Sequence, residues 1–269
     1  MRQALGHFYS RLFVIYLILH ELPRRMYMTK LYKKNELIFA LIWIGIYAIG
    51  GGVFEEISRR IGIESLAPAV YFIVLSVLLY AWISKNQLRE KFGLCKPTAD
   101  VKAFLWYIPL ILITISNIGF GVQLKYTFVG TLCFIIKMLC VGLLEELIFR
   151  GFLFRAMCRD NIKFAIIVSS VTFGVGHILN LFNGSGMELW ENLVQIVAAV
   201  AFGFLYVILF YRGGSLIPCI LSHGIFNSMS AFSVEGSVTA EVIHSGIVCI
   251  FVVAYTVVLM KTLPKKEAI

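Results

Sequence analysis

The sequence predicts an all-α polytopic membrane bundle: eight transmembrane helices preceded by an N-terminal interfacial helix. Three observations predict it. The 269-residue chain is 59% hydrophobic and only 14% charged, with a mean hydropathy of +0.87, more apolar surface than a soluble domain can hide. Uncharged runs repeatedly approach the roughly 20 residues that a helix needs to cross a bilayer. No run alternates polar and apolar residues as a membrane β-strand would.

Taken in order, residues 5–19 are apolar but short, carry Arg11 and precede Arg24-Arg25. They lack a small-residue cleavage site, so they read as an interfacial helix rather than a signal peptide. The spans follow at 37–54, 66–84, 103–124, 126–158, 164–187, 192–211, 213–234 and 242–260. The fourth is long and is interrupted by Lys137 and by Glu145-Glu146…Arg150. Lys137 is expected to snorkel toward the outer surface. One membrane domain over 36–262, with a motif-bearing core at 125–232, lies between a basic segment (1–35) and a basic tail (263–269).

The net charge of +9 speaks to topology, not to nucleic acid. Arg24, Arg25, Lys30, Lys33 and Lys34 precede the first span, and Lys85, Arg89, Lys91, Lys96 and Lys102 separate the second from the third. Arg155, Arg159 and Lys163 follow the fourth, Arg212 the sixth, and Lys261, Lys265 and Lys266 the eighth. The alternate loops carry Glu55, Glu56 and Glu64, then Glu188 and Glu191, then Glu235 and Glu241. Lys and Arg collect in cytoplasmic loops, so both termini are expected there. Ser170-x-x-x-Gly174, Gly174-x-Gly176 and Ala199-x-x-x-Gly203 offer small faces for close helix packing. Trp43, Trp82, Trp106 and Trp190 fall near span ends, as an aromatic belt would. The six cysteines form no Cys-x-x-Cys pair and read as small core hydrophobes.

Three polar clusters sit inside apolar runs: Glu145-Glu146…Arg150, Phe173…His177 and His223…Asn227. Ionisable groups in hydrocarbon cost several kcal/mol unless partnered, so each cluster is a candidate site. At 1.5 Å per helical residue, Glu145 and His177 both lie roughly 20 Å from the basic loop at 159–163. His223 lies roughly 15 Å and Asn227 roughly 20 Å from the turn after Arg212. Residues far apart in sequence thus reach one level of the bilayer. Glu146 and Arg150 are four apart and can pair, leaving Glu145 the freer carboxylate, fit to take a proton from water. Singly, each has a bland reading, as a solvated helix end or a hydrogen-bonded packing histidine; together they form an acid–base inventory. His7, His20 and His244 have no such partners and read as structural or interfacial.

The ordered set Glu145-Glu146-x-x-x-Arg150, Phe173-x-x-x-His177, His223-x-x-x-Asn227 resembles the CPBP family: type II CAAX prenyl endopeptidases and bacterial Abi or bacteriocin-processing proteins. The resemblance covers about residues 125–232. It implies an intramembrane endopeptidase opening toward the cytoplasm and the bilayer. By that resemblance Glu145 and His177 activate the attacking water, His223 and Asn227 stabilise the oxyanion, and Glu146, Arg150 and Phe173 support the site. The family has been described as both metallo- and glutamate-type. The residues could hold Zn²⁺ through His177, His223 and Glu145 or Glu146. No His-Glu-x-x-His helix is present, and the metal-free mechanism, with no cofactor, is the reading taken. The expected partners are a membrane-associated peptide or protein and the lipid bilayer. Prenylated CAAX proteins and peptide or bacteriocin precursors both remain open as substrates. The rival classes are a non-catalytic immunity or scaffold protein and, with no inverted repeat in its favour, a proton-coupled transporter.

Overall fold

A computed structural model describes residues 25–182 and 187–264. The expected interfacial helix at 5–19 and most of the basic tail at 263–269 lie outside the described residues. The regular structure of the described residues is helical, with one isolated antiparallel bridge between Val122 and Ser233. A short helix α1 (Arg25–Lys34) leads into α2 (Glu36–Ile61) and α3 (Leu66–Lys85). A 3₁₀ segment (Val101–Tyr107) precedes α4 (Ile108–Ile115). Helix α5 (Phe128–Glu145) runs on as a π-helix (Glu146–Phe154) and a last turn (Arg155–Met157). Then come α6 (Ile162–Gly176) with a 3₁₀ extension (His177–Leu181), α7 (Leu189–Gly213), α8 (Ile217–Met229) and α9 (Val238–Thr262).

Among the described residues, six helical segments are long and apolar enough to cross a membrane: Glu36–Ile61, Leu66–Lys85, Val101–Ile118, Ile162–Leu181, Leu189–Gly213 and Val238–Thr262. The protein is a multi-pass integral membrane protein. These six do not confirm the expected count of eight. Apart from the ten-residue α1, the helices outside the set are α5, whose polar motif opens the π-helical stretch, and α8, only 13 residues long. They are also the helices that carry Glu145, Glu146, His223 and Asn227.

Several expectations are corrected by local chemistry. Helix α2 does not stop near Phe54. Asn35 caps it by accepting from the Ile38 amide at 2.8 Å, and it runs to Ile61 because its late acids are neutralised. Glu56 pairs with Arg59 (2.7 Å) and Arg60 (3.0 Å), and Glu55 pairs with Lys137 (2.8 Å). Lys137 therefore does not snorkel; it is buried. The third expected span breaks where Leu105, Trp106 and Tyr107 take positive φ, just before Pro109. Proline has no N–H to continue a preceding turn but suits the first turn of a new helix, and α4 starts there. Trp106 and Trp190 are exposed as belt residues should be, whereas Trp43 and Trp82 are buried. Trp82 belongs to an aromatic cluster with Phe39, Phe92 and Phe152. This cluster ties α2 and α3 to the π-helical stretch.

Close backbone approaches join the helices that carry the motifs. A Cβ on Gly174 would stand 2.8 Å from the Val200 nitrogen, and one on Gly203 would stand 2.9 Å from the Ser170 Cα. The small faces read from the sequence therefore meet, α6 against α7. A second contact had no such reading: a Cβ on Gly142 would stand 2.6 Å from the Gly224 nitrogen and 2.7 Å from its Cα. This pair brings the α5 and α8 backbones together beside His223 and one turn before Glu145. Gly142→Ala must push them apart. It is expected to destabilise the protein by about 1–3 kcal/mol, as overpacking does. The check is a lowered unfolding temperature in detergent relative to Gly45→Ala, whose Cβ would meet nothing within 4 Å.

Candidate active site

The π-helical stretch begins at Glu146 and is buried along its whole length. Such wide turns are rare and cluster at functional sites. Here the stretch is supported from α6, where the buried Ser169 hydroxyl donates to the Phe149 carbonyl at 2.8 Å. Glu145 and Glu146 stand at its mouth, where the glycine contact brings α8 against α5.

His223 bridges the two carboxylates. Its Nδ1 lies 2.9 Å from Glu146 Oε1 and its Nε2 lies 3.4 Å from Glu145 Oε2. An ionised carboxylate only accepts, so the approach to Glu146 is served by a His223 N–H. Arg150 Nη1 donates to the same Glu146 Oε1 at 3.0 Å, as the four-residue spacing predicted. Glu146 and Arg150 are both 0% exposed, so each depends on the other. Glu145 keeps a side-chain exposure of 12%; it is the freer carboxylate yet does not face bulk water.

Two aromatic rings flank Arg150 and His223. The Arg150 guanidinium lies 4.1 Å from the Phe173 ring centre and 5.6 Å from that of Tyr206. The His223 ring stacks on Tyr206 (5.7 Å between centres, 26° between planes) and meets Phe173 edge-on (5.7 Å, 88°). Phe173 thus touches both, as its place among the motifs suggested. Tyr206 was missed, because a tyrosine in an apolar run has no sequence signal for its partner. Its hydroxyl meets Ser222 Oγ at 3.2 Å, and Ser222 meets Thr114 Oγ1 at 2.7 Å. Tyr47 was missed for the same reason: from α2, its hydroxyl donates to Glu145 Oε1 at 2.6 Å.

His177 and Asn227 are placed differently from Glu145 and His223. No hydrogen bond joins His177 to Glu145 among the described residues. Instead its Nδ1 lies 3.1 Å from the Phe173 carbonyl, which can only accept. The proton of that bond therefore sits on Nδ1, and Nε2 is left without a bond to the backbone. The buried Asn192 fixes the same residue by donating to the His177 carbonyl at 2.8 Å, and the Phe173 ring meets the His177 ring edge-on at 5.2 Å. Asn227 lies one helical turn beyond His223 on α8.

Among the described residues, no three His, Cys, Asp or Glu side chains are arranged to hold a metal ion. Both His223 nitrogens are turned to carboxylates and the His177 Nδ1 to a backbone carbonyl. The six cysteines are free.

A multi-pass helical membrane protein with a buried carboxylate–imidazole cluster defines the class. Residues 127–229 match the family model described as Rce1-like, type II CAAX prenyl endopeptidase Rce1-like. That match supports the resemblance of the motif-bearing stretch to the CPBP/CAAX protease family. Neither curated proteins nor solved structures gave a match.

Proposed function

We propose that this chain is an intramembrane endopeptidase in which Glu145 activates water without a metal. The observation that carries the reading is the bridge of His223 across Glu145 and Glu146, held in a buried, aromatic-walled cluster. Glu145 takes a proton from water, and the hydroxide attacks the scissile carbonyl carbon. The His177 Nε2 helps to orient that water. The oxyanion receives N–H donation from His223 and the Asn227 amide. Collapse breaks the C–N bond, and the proton held on Glu145 passes to the leaving amine. The net change is one water added across one peptide bond. Glu146 and Arg150 hold the imidazole in place. In this reading α5 and α8 complete an eight-helix membrane core with both termini in the cytoplasm, and the substrate is a membrane-associated peptide.

The family's name makes a prenylated CAAX peptide the first substrate to try. Purified protein in liposomes is expected to cleave it and to keep its activity through exhaustive chelation. Loss of activity on chelation, restored by stoichiometric zinc, would overturn the metal-free part of the proposal. Equal inertness toward prenylated and plain peptides would redirect the search to other peptide precursors.

A further inference from the structure

The bond from Tyr47 to Glu145 comes from outside the matched stretch 127–229. Tyr47 lies on α2, stacked on Phe72 of α3 with ring centres 5.2 Å apart and planes at 26°. At 2.6 Å its contact with Glu145 has the length of a charge-assisted O–H···O⁻ bond. It occupies Glu145 Oε1 and leaves Oε2 on the His223 side, 3.4 Å from Nε2.

A second polar rung fixes where Tyr47 lands. Glu55 follows Tyr47 by eight residues on α2, and Lys137 precedes Glu145 by eight on α5. Glu55 and Lys137 pair at 2.8 Å, and the Lys137 ammonium lies 4.9 Å from the Phe134 ring centre. Eight residues span about 12 Å of either helix. The two antiparallel helices are therefore tied at two points at matched spacing. A slip of one helix past the other would break both rungs, and would cost most at Lys137, which is buried and would lose its counter-charge.

We propose that Tyr47 is a positioning residue of the site. Its hydroxyl holds the Glu145 carboxylate in the orientation that presents Oε2 to the reaction, and the Glu55–Lys137 pair sets the register that delivers it. The inference rests on the proposed role of Glu145. It also means that helix α2, not only the matched domain, belongs to the machinery.

Tyr47→Phe keeps the ring and its stack on Phe72 and removes only the donor. Turnover is expected to fall about tenfold to a hundredfold, the worth of one hydrogen bond to a charged group, with KM and the unfolding temperature unchanged. The second readout is the infrared carboxylate band of Glu145, assigned by its disappearance in Glu145→Gln, which should shift in Tyr47→Phe. Tyr80→Phe, on the exposed side of α3, should move neither quantity. The charge swap Glu55→Lys with Lys137→Glu should retain more activity than either single change. Wild-type turnover and an unmoved band in Tyr47→Phe, beside an inactive Glu145→Gln, would overturn the inference and leave the protease reading standing. Should the wild type cleave nothing, the band still decides: a shift supports the positioning role, an unmoved band refutes it.

Discussion

Arg150→Ala is expected to cost the protein about 3–5 kcal/mol, the price of leaving a buried charge without its partner. Glu146 is 0% exposed and takes donors from Arg150 at 3.0 Å and His223 at 2.9 Å. The alanine also leaves bare the Phe173 face that the guanidinium covers at 4.1 Å. The Arg150→Lys variant keeps the charge but not the planar fork, so it should recover only part of the loss. Thermal unfolding in detergent, followed by loss of monodisperse protein on heating, measures both. If Arg150→Ala unfolds at the wild-type temperature, Glu146 is not the buried anion described here.

Glu145→Gln should remove catalysis and leave the fold. The glutamine has the same shape, and its carbonyl can still accept from Tyr47, whose bond in the wild type is 2.6 Å. The buried pair of Glu146 with Arg150 is untouched. What is lost is the base: an amide takes no proton from water. Loss of a general base lowers turnover by about 10²–10⁴-fold. The variant should therefore match the wild type in unfolding temperature and differ from it in turnover. A variant that also unfolds early would show Glu145 to be a structural residue.

Much of this site can be read in the sequence, because helical spacing is a local rule. The four-residue steps put Arg150 beneath Glu146 and Phe173 beside His177, and the counted depths brought His223 within about 5 Å of the level of Glu145. What could not be read depends on partners distant in sequence. Tyr47 bonds to a residue 98 positions away, and an aromatic in an apolar run reads as packing. Lys137 was expected to snorkel because it lies toward the outer end of its span; its partner Glu55 is 82 positions away, in a stretch that reads as loop. The π-helical turn shares its hydrophobic residues with an ordinary α-turn, so no periodicity betrays it. Depth put His177 at the level of Glu145, but depth does not fix the direction of a side chain; the His177 Nδ1 turns to the Phe173 carbonyl.

The most direct measurement sets wild type and Glu145→Gln side by side in the same liposomes with a prenylated CAAX peptide. Products are weighed by mass spectrometry, and unfolding temperature is recorded for both proteins. The account predicts two fragments from the wild type, whose masses sum to that of the peptide plus one water, and intact peptide from the equally stable variant. Cleavage of the same bond at the same rate by Glu145→Gln would contradict it.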